Sequence, residues 1–167
     1  MTRFELGRTR RYEAWLAGQF DQVLVTSPKD QDAFRALAPA AVKDGRVTVL
    51  PNGVALDYFT TEPPFSRDRA TLVISGKMSY HANVTMVMQF VKKVFPLVKS
   101  ARPDVNLVIV GKDPAPEVRA LATDPAVTVT GEVPDVRPYL RKATVAVAPI
   151  AYGVGIQNKV LEAMAVG

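Results

Sequence analysis

Asn106-Leu107-Val108-Ile109-Val110-Gly111-Lys112-Asp113 is the stretch that decides the fold. From Leu107 to Val110 the run is apolar throughout rather than alternating, the mark of a strand covered on both faces. It stops at a glycine, followed by two charged residues, which is how a buried parallel strand hands over to a solvent-facing loop. The same shape recurs on either side. Strands are predicted at 71–75, 105–110, 127–130 and 144–148, and they alternate with helices at 82–100, 115–123, 135–142 and 157–166. That alternation predicts an α/β fold built on a doubly wound parallel sheet.

The longest helix supports this reading. Val84, Val87, Met88, Val91, Val94, Phe95 and Val98 recur at helical spacing and define one buried face. Pro96 lies inside the pattern and predicts a kink, because it cannot donate to the carbonyl of Lys92. Towards the N-terminus, residues 2–18 read as a helix with Tyr12, Trp15 and Leu16 on one face and Gly18 as its stop. Gln22–Thr26 and Arg46–Leu50 read as strands. Between them Ser27-Pro28-Lys29-Asp30 opens a helix to about Leu37, and Pro51-Asn52-Gly53 closes the second strand in a turn. Residues 53–69, with Pro63-Pro64, read as a loop-like linker. Three segments are therefore expected: 1–52, the linker 53–69, and 70–167.

Composition excludes several chemistries. The 167 residues contain no cysteine and one histidine, His81, so neither a thiolate site nor a multi-histidine metal site is available. No apolar run reaches the roughly 20 residues of a membrane span, and the N-terminus lacks a signal-peptide core, so a cytoplasmic location is expected. The net charge of +5 is concentrated: Arg3, Arg8, Arg10 and Arg11 against Glu5 place +3 in the first twelve residues. One short basic segment without an aromatic stacking set argues against a nucleic-acid partner.

Ligands of open parallel sheets bind beyond the carboxyl ends of the strands. The loops there begin Gly76-Lys77, Gly111-Lys112 and Gly131-Glu132, and the fourth runs from Pro149 to Gly155. Tyr152-Gly153-Val154-Gly155-Ile156-Gln157-Asn158-Lys159-Val160-Leu161-Glu162 leads two glycines into a helix, whose free N–H groups and positive dipole end suit a phosphate. Asn158, Lys159 and Glu162 form a polar stripe on a helix otherwise apolar and expected to be buried. The stripe faces either a site or solvent, as a Lys159–Glu162 pair. Gly153-x-Gly155 is a poor dinucleotide fingerprint, since Asn158 stands where the third glycine belongs. Asp30-Gln31-Asp32 resembles a metal-holding acidic triplet, but Ser27 with Asp30 fits a capping box. Lys77 follows a strand end, where a positive charge would meet a diphosphate; the same position also suits an ordinary solvated lysine. His81, at the mouth of the same loop, is a polar surface residue or a phosphate donor.

Taken together, these segments resemble the retaining nucleotide-sugar glycosyltransferases of family 4, which have the two-domain GT-B fold. The resemblance is carried by Phe20–Ser27, Pro51-Asn52-Gly53-Val54, Asp57-Tyr58-Phe59, Ile74–Met78, Leu107–Gly111, Val129–Gly131 and Lys159–Gly167. It implies that 1–52 closes a first, acceptor-binding domain and that 70–167 is most of the Rossmann-like, nucleotide-sugar-binding second domain. The implied donor site comprises Gly76, Lys77, Val133, Gly153, Gly155, Ile156, Gln157, Asn158, Lys159 and Glu162. Glu162 matches the residue on the ribose hydroxyls, Lys77 the usual arginine on the phosphates, Val133 the base-contacting loop, and Gly155–Asn158 the peptides facing phosphate and sugar.

Two positions depart from the family pattern. Val154 replaces a glutamate on the sugar hydroxyls, and Ala82 replaces a second phosphate-binding cation, a charge that Lys159 is placed to supply. No catalytic residue is assigned, since most are expected in the first domain, and no metal or other cofactor is implied. The implied partners are a nucleotide-sugar donor and a glycan or lipid-linked acceptor in polysaccharide biosynthesis, with the full-length parent peripheral to a membrane. The 167-residue chain alone is expected to be inactive, because transfer needs two domains closed around donor and acceptor. The alternative reading is a non-catalytic nucleotide-binding or interaction module of the same fold.

Overall fold

The structure, a computed structural model, describes residues 3–60, 66–152 and 156–167. Two compact units divide the chain, the first running through Gly53 and the second from Val54 onward, with Ile156 grouped with the first. No helix among the described residues is long and apolar enough to cross a membrane.

In the first unit, helix α1 (Arg3–Gln19) precedes strand β1 (Val23–Val25), helices α2 (Pro28–Leu37) and α3 (Pro39–Lys43), and strand β2 (Val47–Val49). β1 and β2 pair in parallel, Val23 opposite Val47 and Val25 opposite Val49. Its core is small: Ala17, Val25, Ala41 and Val47. The apolar face expected on α1 is displaced. Tyr12 and Trp15 stack on each other at 5.7 Å in solvent, and Ala17 is the buried contact. A small residue there lets the helix approach the two-stranded sheet closely. Gly18 does not stop α1, which runs one residue further. At α2, Ser27 is the N-cap: its hydroxyl accepts from Asp30 N–H and donates to the Asp30 carboxylate at 2.7 Å. Asp30 is thereby occupied in the capping box.

The second unit opens with helix α4 (Leu56–Thr60). Residues 56–60 correct the expectation of a loop through 53–69: Phe59 packs into the core, and Arg137 donates to the Tyr58 carbonyl at 2.7 Å while lying 3.8 Å from the Tyr58 ring. Pro63 and Pro64 lie outside the described residues. Next come β3 (Thr71–Ser75), α5 (His81–Gln89), a π-helical turn (Phe90–Val94), α6 (Phe95–Ala101), β4 (Asn106–Val110) and α7 (Pro116–Arg119), which continues as a 3₁₀ turn. β5 (Val127–Gly131), α8 (Arg137–Lys142), β6 (Val145–Ala146) and α9 (Asn158–Val166) complete the unit.

All four strands are parallel, in the order β5-β4-β3-β6. From β3 the chain winds outward through β4 to β5 and then returns to β6 on the other side of β3. Both sheet faces are covered. Ile74, Leu107 and Ile109 pack with Met86, Phe90 and Phe95 on one face, and Val73 and Val110 pack with Phe59 and Leu140 on the other. This is the doubly wound α/β sheet.

Two expectations are revised by packing. The kink at Pro96 takes the form of the π turn, in which Phe95 N–H donates to Phe90 C=O five residues back. The extra residue brings Phe90 and Phe95 onto one buried face and turns Val94 outward to 41% exposure. The segment 144–148 yields only a two-residue strand that is exposed, Val145 at 50%. Among the described residues β6 pairs with β3 alone, through Val145 and Ala146.

Candidate functional site

The winding reverses between β3 and β6, so their carboxyl ends form the topological switch point where such sheets bind ligands. The loops there are held backbone to backbone. Gly76 N–H donates to Val110 C=O at 3.0 Å, Met78 N–H to Lys112 C=O at 2.9 Å, and Gly111 N–H to Gly131 C=O at 3.2 Å. Such close approach demands glycine at two positions. Gly76 and Gly111 sit at φ 146° and 153°, and a Cβ on Gly111 would lie 1.7 Å from the Gly76 carbonyl oxygen.

α9 meets this point with its first turn. Gln157 is the N-cap and provides no side-chain cap, so the cap leaves first-turn N–H groups to other partners. Lys159 reaches across to α5, donating from Nζ to Asn83 Oδ1 at 2.5 Å, and Asn83 Nδ2 in turn donates to the Lys77 carbonyl at 2.9 Å. Burial pushes the Lys159 pKa below its ordinary value, and the negative charge of Glu162, one turn further along α9, partly restores it. Beside these groups lies a pocket of about 330 Å³ lined by Val73, Ser75, Ala146–Ala148, Lys159, Val160, Ala163 and Met164.

The expected burial of α9 is not found. None of its residues is fully buried, and Val160 and Met164 are exposed; the helix packs through Ala163, Ala165 and Val166. Within the polar stripe Asn158 is exposed while Lys159 and Glu162 are half-buried. The partner of Lys159 is Asn83, and no Lys159–Glu162 ion pair forms.

Gly76, Lys77, Gln157, Asn158, Lys159 and Glu162 therefore fall around one end of β3. The Lys77 side chain is exposed, and its carbonyl ties into the Asn83 bridge. Val133 is half-buried: it packs against the core cluster that includes Leu140 and also lines a surface pocket with Pro134, Asp135 and Tyr139. Ile156 directly precedes the N-cap; Gly153 and Gly155 lie outside the described residues. His81 is exposed, stacks on Tyr152 at 5.6 Å, and shares a 2.9 Å hydrogen bond between Nδ1 and the Tyr152 hydroxyl, which also meets Thr85 at 3.2 Å. Among the described residues no cluster of three His, Asp or Glu could hold a metal ion.

Sequence reading missed Asn83. The available signal was a polar amide in the first turn of a helix that starts at a glycine-led loop, but its partner is 76 residues away.

The profile of the family described as Glycosyl transferases group 1 matches residues 69–167. The chain belongs to that family. Comparison with curated proteins finds no match. Among solved structures, this group 1 chain is similar to TarM (TM-score 0.69, 14% identity), to Anabaena HepE in complex with UDP and glucose (0.68, 16%), and to WaaG, a glycosyltransferase involved in lipopolysaccharide biosynthesis (0.67, 20%). The alignments cover 95%, 94% and 95% of this chain but only 30%, 45% and 47% of those proteins. At these identities the likeness concerns the fold, the Rossmann-like architecture of GT-B glycosyltransferases, and the group 1 chain spans less than half the length of each.

Proposed function

We propose that this chain carries the donor-binding half-site of a retaining glycosyltransferase, which moves a sugar from a nucleoside diphosphate donor to a glycan or lipid-linked acceptor in polysaccharide biosynthesis. The observation that carries the proposal is the convergence of Lys159, the Gly76 backbone and the uncapped start of α9 at the switch point of a group 1 sheet. A half-buried cation, an open backbone and a helix N-terminus together suit a diphosphate. In this reading Glu162 accepts from the ribose hydroxyls, the peptides of Gly155–Asn158 serve phosphate and sugar, Lys77 supports the phosphates, and the loop at Val133 meets the base. That HepE was solved with UDP and glucose supports a nucleotide-sugar donor.

Binding needs neither metal nor other cofactor here, since the charge is met by lysine and peptide dipoles. The reading places the parent enzyme in the cytoplasm, peripheral to a membrane where its acceptor is lipid-linked. Residues 1–52 contribute the end of an acceptor-binding domain, and transfer by the 167-residue chain alone is negligible, because orientation depends on two complete domains.

The test is a calorimetric and thermal-shift panel of uridine, guanosine and adenosine diphosphates and their sugars. One base is expected to stand out. At a ligand concentration of 100 times Kd the stabilisation is about 2.7 kcal/mol, or roughly 5–10 °C in Tm for a chain of this size. Absence of binding by every nucleoside diphosphate refutes the donor site, and sugar transfer by the purified chain refutes the dependence on a second domain.

A further inference from the structure

Asn83 makes three hydrogen bonds, two to the loop between β3 and α5 and one to α9. Its backbone N–H donates to Tyr80 C=O, its Nδ2 donates to Lys77 C=O, and its Oδ1 accepts from Lys159 Nζ. The two side-chain partners fix the orientation of the amide from opposite ends: an ammonium only donates and a carbonyl only accepts, so Oδ1 must face Lys159 and Nδ2 must face Lys77. The absent side chain of Gly76 provides the space. A Cβ there would come within 2.9 Å of Asn83 Nδ2 and 3.4 Å of Lys159 Nζ.

The bridge leaves the charge of Lys159 uncancelled. Its contact partner is a neutral amide, and the one carboxylate acting on it, Glu162, does so without an ion pair. A half-buried ammonium without a counter-ion in contact is unfavourable in the free protein and is relieved when an anion arrives. An aspartate at position 83 would hold the lysine more tightly but would neutralise it.

We propose that Asn83 is the positioning residue of the phosphate subsite: it holds the Lys159 ammonium against the Gly76–Lys77 loop without neutralising it, ready for the diphosphate of a nucleotide. This deepens the donor-site reading and rests on it. Asn83 makes no contact with the nucleotide in this scheme; it acts through Lys159 and through the peptide of Lys77.

The test compares the full chain with Asn83→Ala and Asn83→Asp in two measurements. The first needs no ligand. Lysines are reductively methylated with ¹³C and followed by NMR against pH. Removing the acceptor in Asn83→Ala is expected to move the Lys159 titration to lower pH, and Asn83→Asp is expected to move it to higher pH. The second is calorimetry with uridine, guanosine and adenosine diphosphates. Both variants are expected to bind the preferred diphosphate at least tenfold more weakly, while the much weaker binding of the parent nucleoside, read by ligand-observed NMR, stays unchanged. Opposite shifts in the lysine with the same loss in diphosphate affinity cannot come from a merely structural role. Asn83→Asp preserves side-chain shape and the acceptor, which keeps the test available if Asn83→Ala does not fold. An unmoved Lys159 titration overturns the proposal, as does a diphosphate affinity equal to that of the unmodified sequence; in both cases the donor site itself stands. Failure of the unmodified chain to bind any of the three diphosphates overturns both readings together.

Discussion

Gly111→Ala is the substitution for which the structure gives the sharpest expectation. A Cβ at this position lies 1.7 Å from the Gly76 carbonyl oxygen, and both atoms belong to backbone, so no rotamer change relieves the clash. The strand ends must separate by more than 1 Å before the contact reaches the roughly 3 Å that real Cβ atoms keep. That movement falls on the hydrogen bonds Gly76 N–H to Val110 C=O, Met78 N–H to Lys112 C=O and Gly111 N–H to Gly131 C=O. Each contributes about 0.5–1.5 kcal/mol, and an alanine forced to φ 153° costs about 1–3 kcal/mol more. The total, about 2.5–7.5 kcal/mol, is a large share of the roughly 5–15 kcal/mol that stabilises a domain. At about 2–4 °C per kcal/mol it lowers Tm by roughly 5–30 °C. Gly131→Ala in the same sheet is the matched control. It also has positive φ, 70°, but nothing lies within 4 Å of its added Cβ, so only the backbone strain of about 1–2 kcal/mol remains. Thermal unfolding is followed by far-ultraviolet circular dichroism, because the single tryptophan, Trp15, lies in the first unit and does not report on this sheet. A Gly111→Ala protein that melts within about 3 °C of Gly131→Ala refutes the claim that strand approach, rather than backbone angle alone, requires the glycine.

Two further outcomes follow from the charges. Lys159→Met removes a desolvated ammonium, so Tm is expected to stay level or rise while calorimetry shows at least a tenfold loss of nucleoside diphosphate affinity; a lower Tm with unchanged affinity contradicts both the burial cost and the role. Because the pKa of Lys159 lies below its ordinary value, diphosphate affinity is expected to fall on raising the pH at a point below the ordinary 10.5. The Arg137 guanidinium beside Asp135, 2.7 Å away, holds that carboxyl below its ordinary 3.8. A depressed carboxylate stabilises the fold above its unfolded pKa, and the contribution is lost as pH falls through the folded value. Asp135→Asn is therefore expected to lower stability at neutral pH, with the difference from the parent shrinking as pH falls through the acid range, read from urea midpoints across that range.

Much of the second unit was legible in the sequence because its strands carry their own boundaries. Leu72–Ile74 and Leu107–Val110 are apolar runs, the first closed by Ser75-Gly76 and the second by Gly111, and the interval between them holds a helix with a clear apolar repeat. The same local rule failed at Thr144–Ala148, where only Val145 and Ala146 pair, both with β3, a partnership that local composition does not carry. It failed again at Leu56–Thr60, whose helix is held by Phe59 in the core and by Arg137 from far along the chain. The site was legible as a set of loop positions and not as a set of contacts. Gly76, Lys77, Lys159 and Glu162 stood out by residue type and place, whereas Asn83 offered only a polar amide in a first helical turn, because its partner Lys159 is defined only once α5 and α9 have come together.

The sequence by itself determined the alternation of parallel strands and helices, the glycines at the strand ends and the capping of α2, since each depends on residues within a few positions of one another. Tertiary structure alone decided the strand order β5-β4-β3-β6, how the chain accommodates Pro96 through a π turn that buries both Phe90 and Phe95, and that the ammonium of Lys159 is held by a neutral amide 76 residues away. Those outcomes depend on which surfaces compete for the same space and the same hydrogen bonds, and that competition exists only after the sheet has assembled.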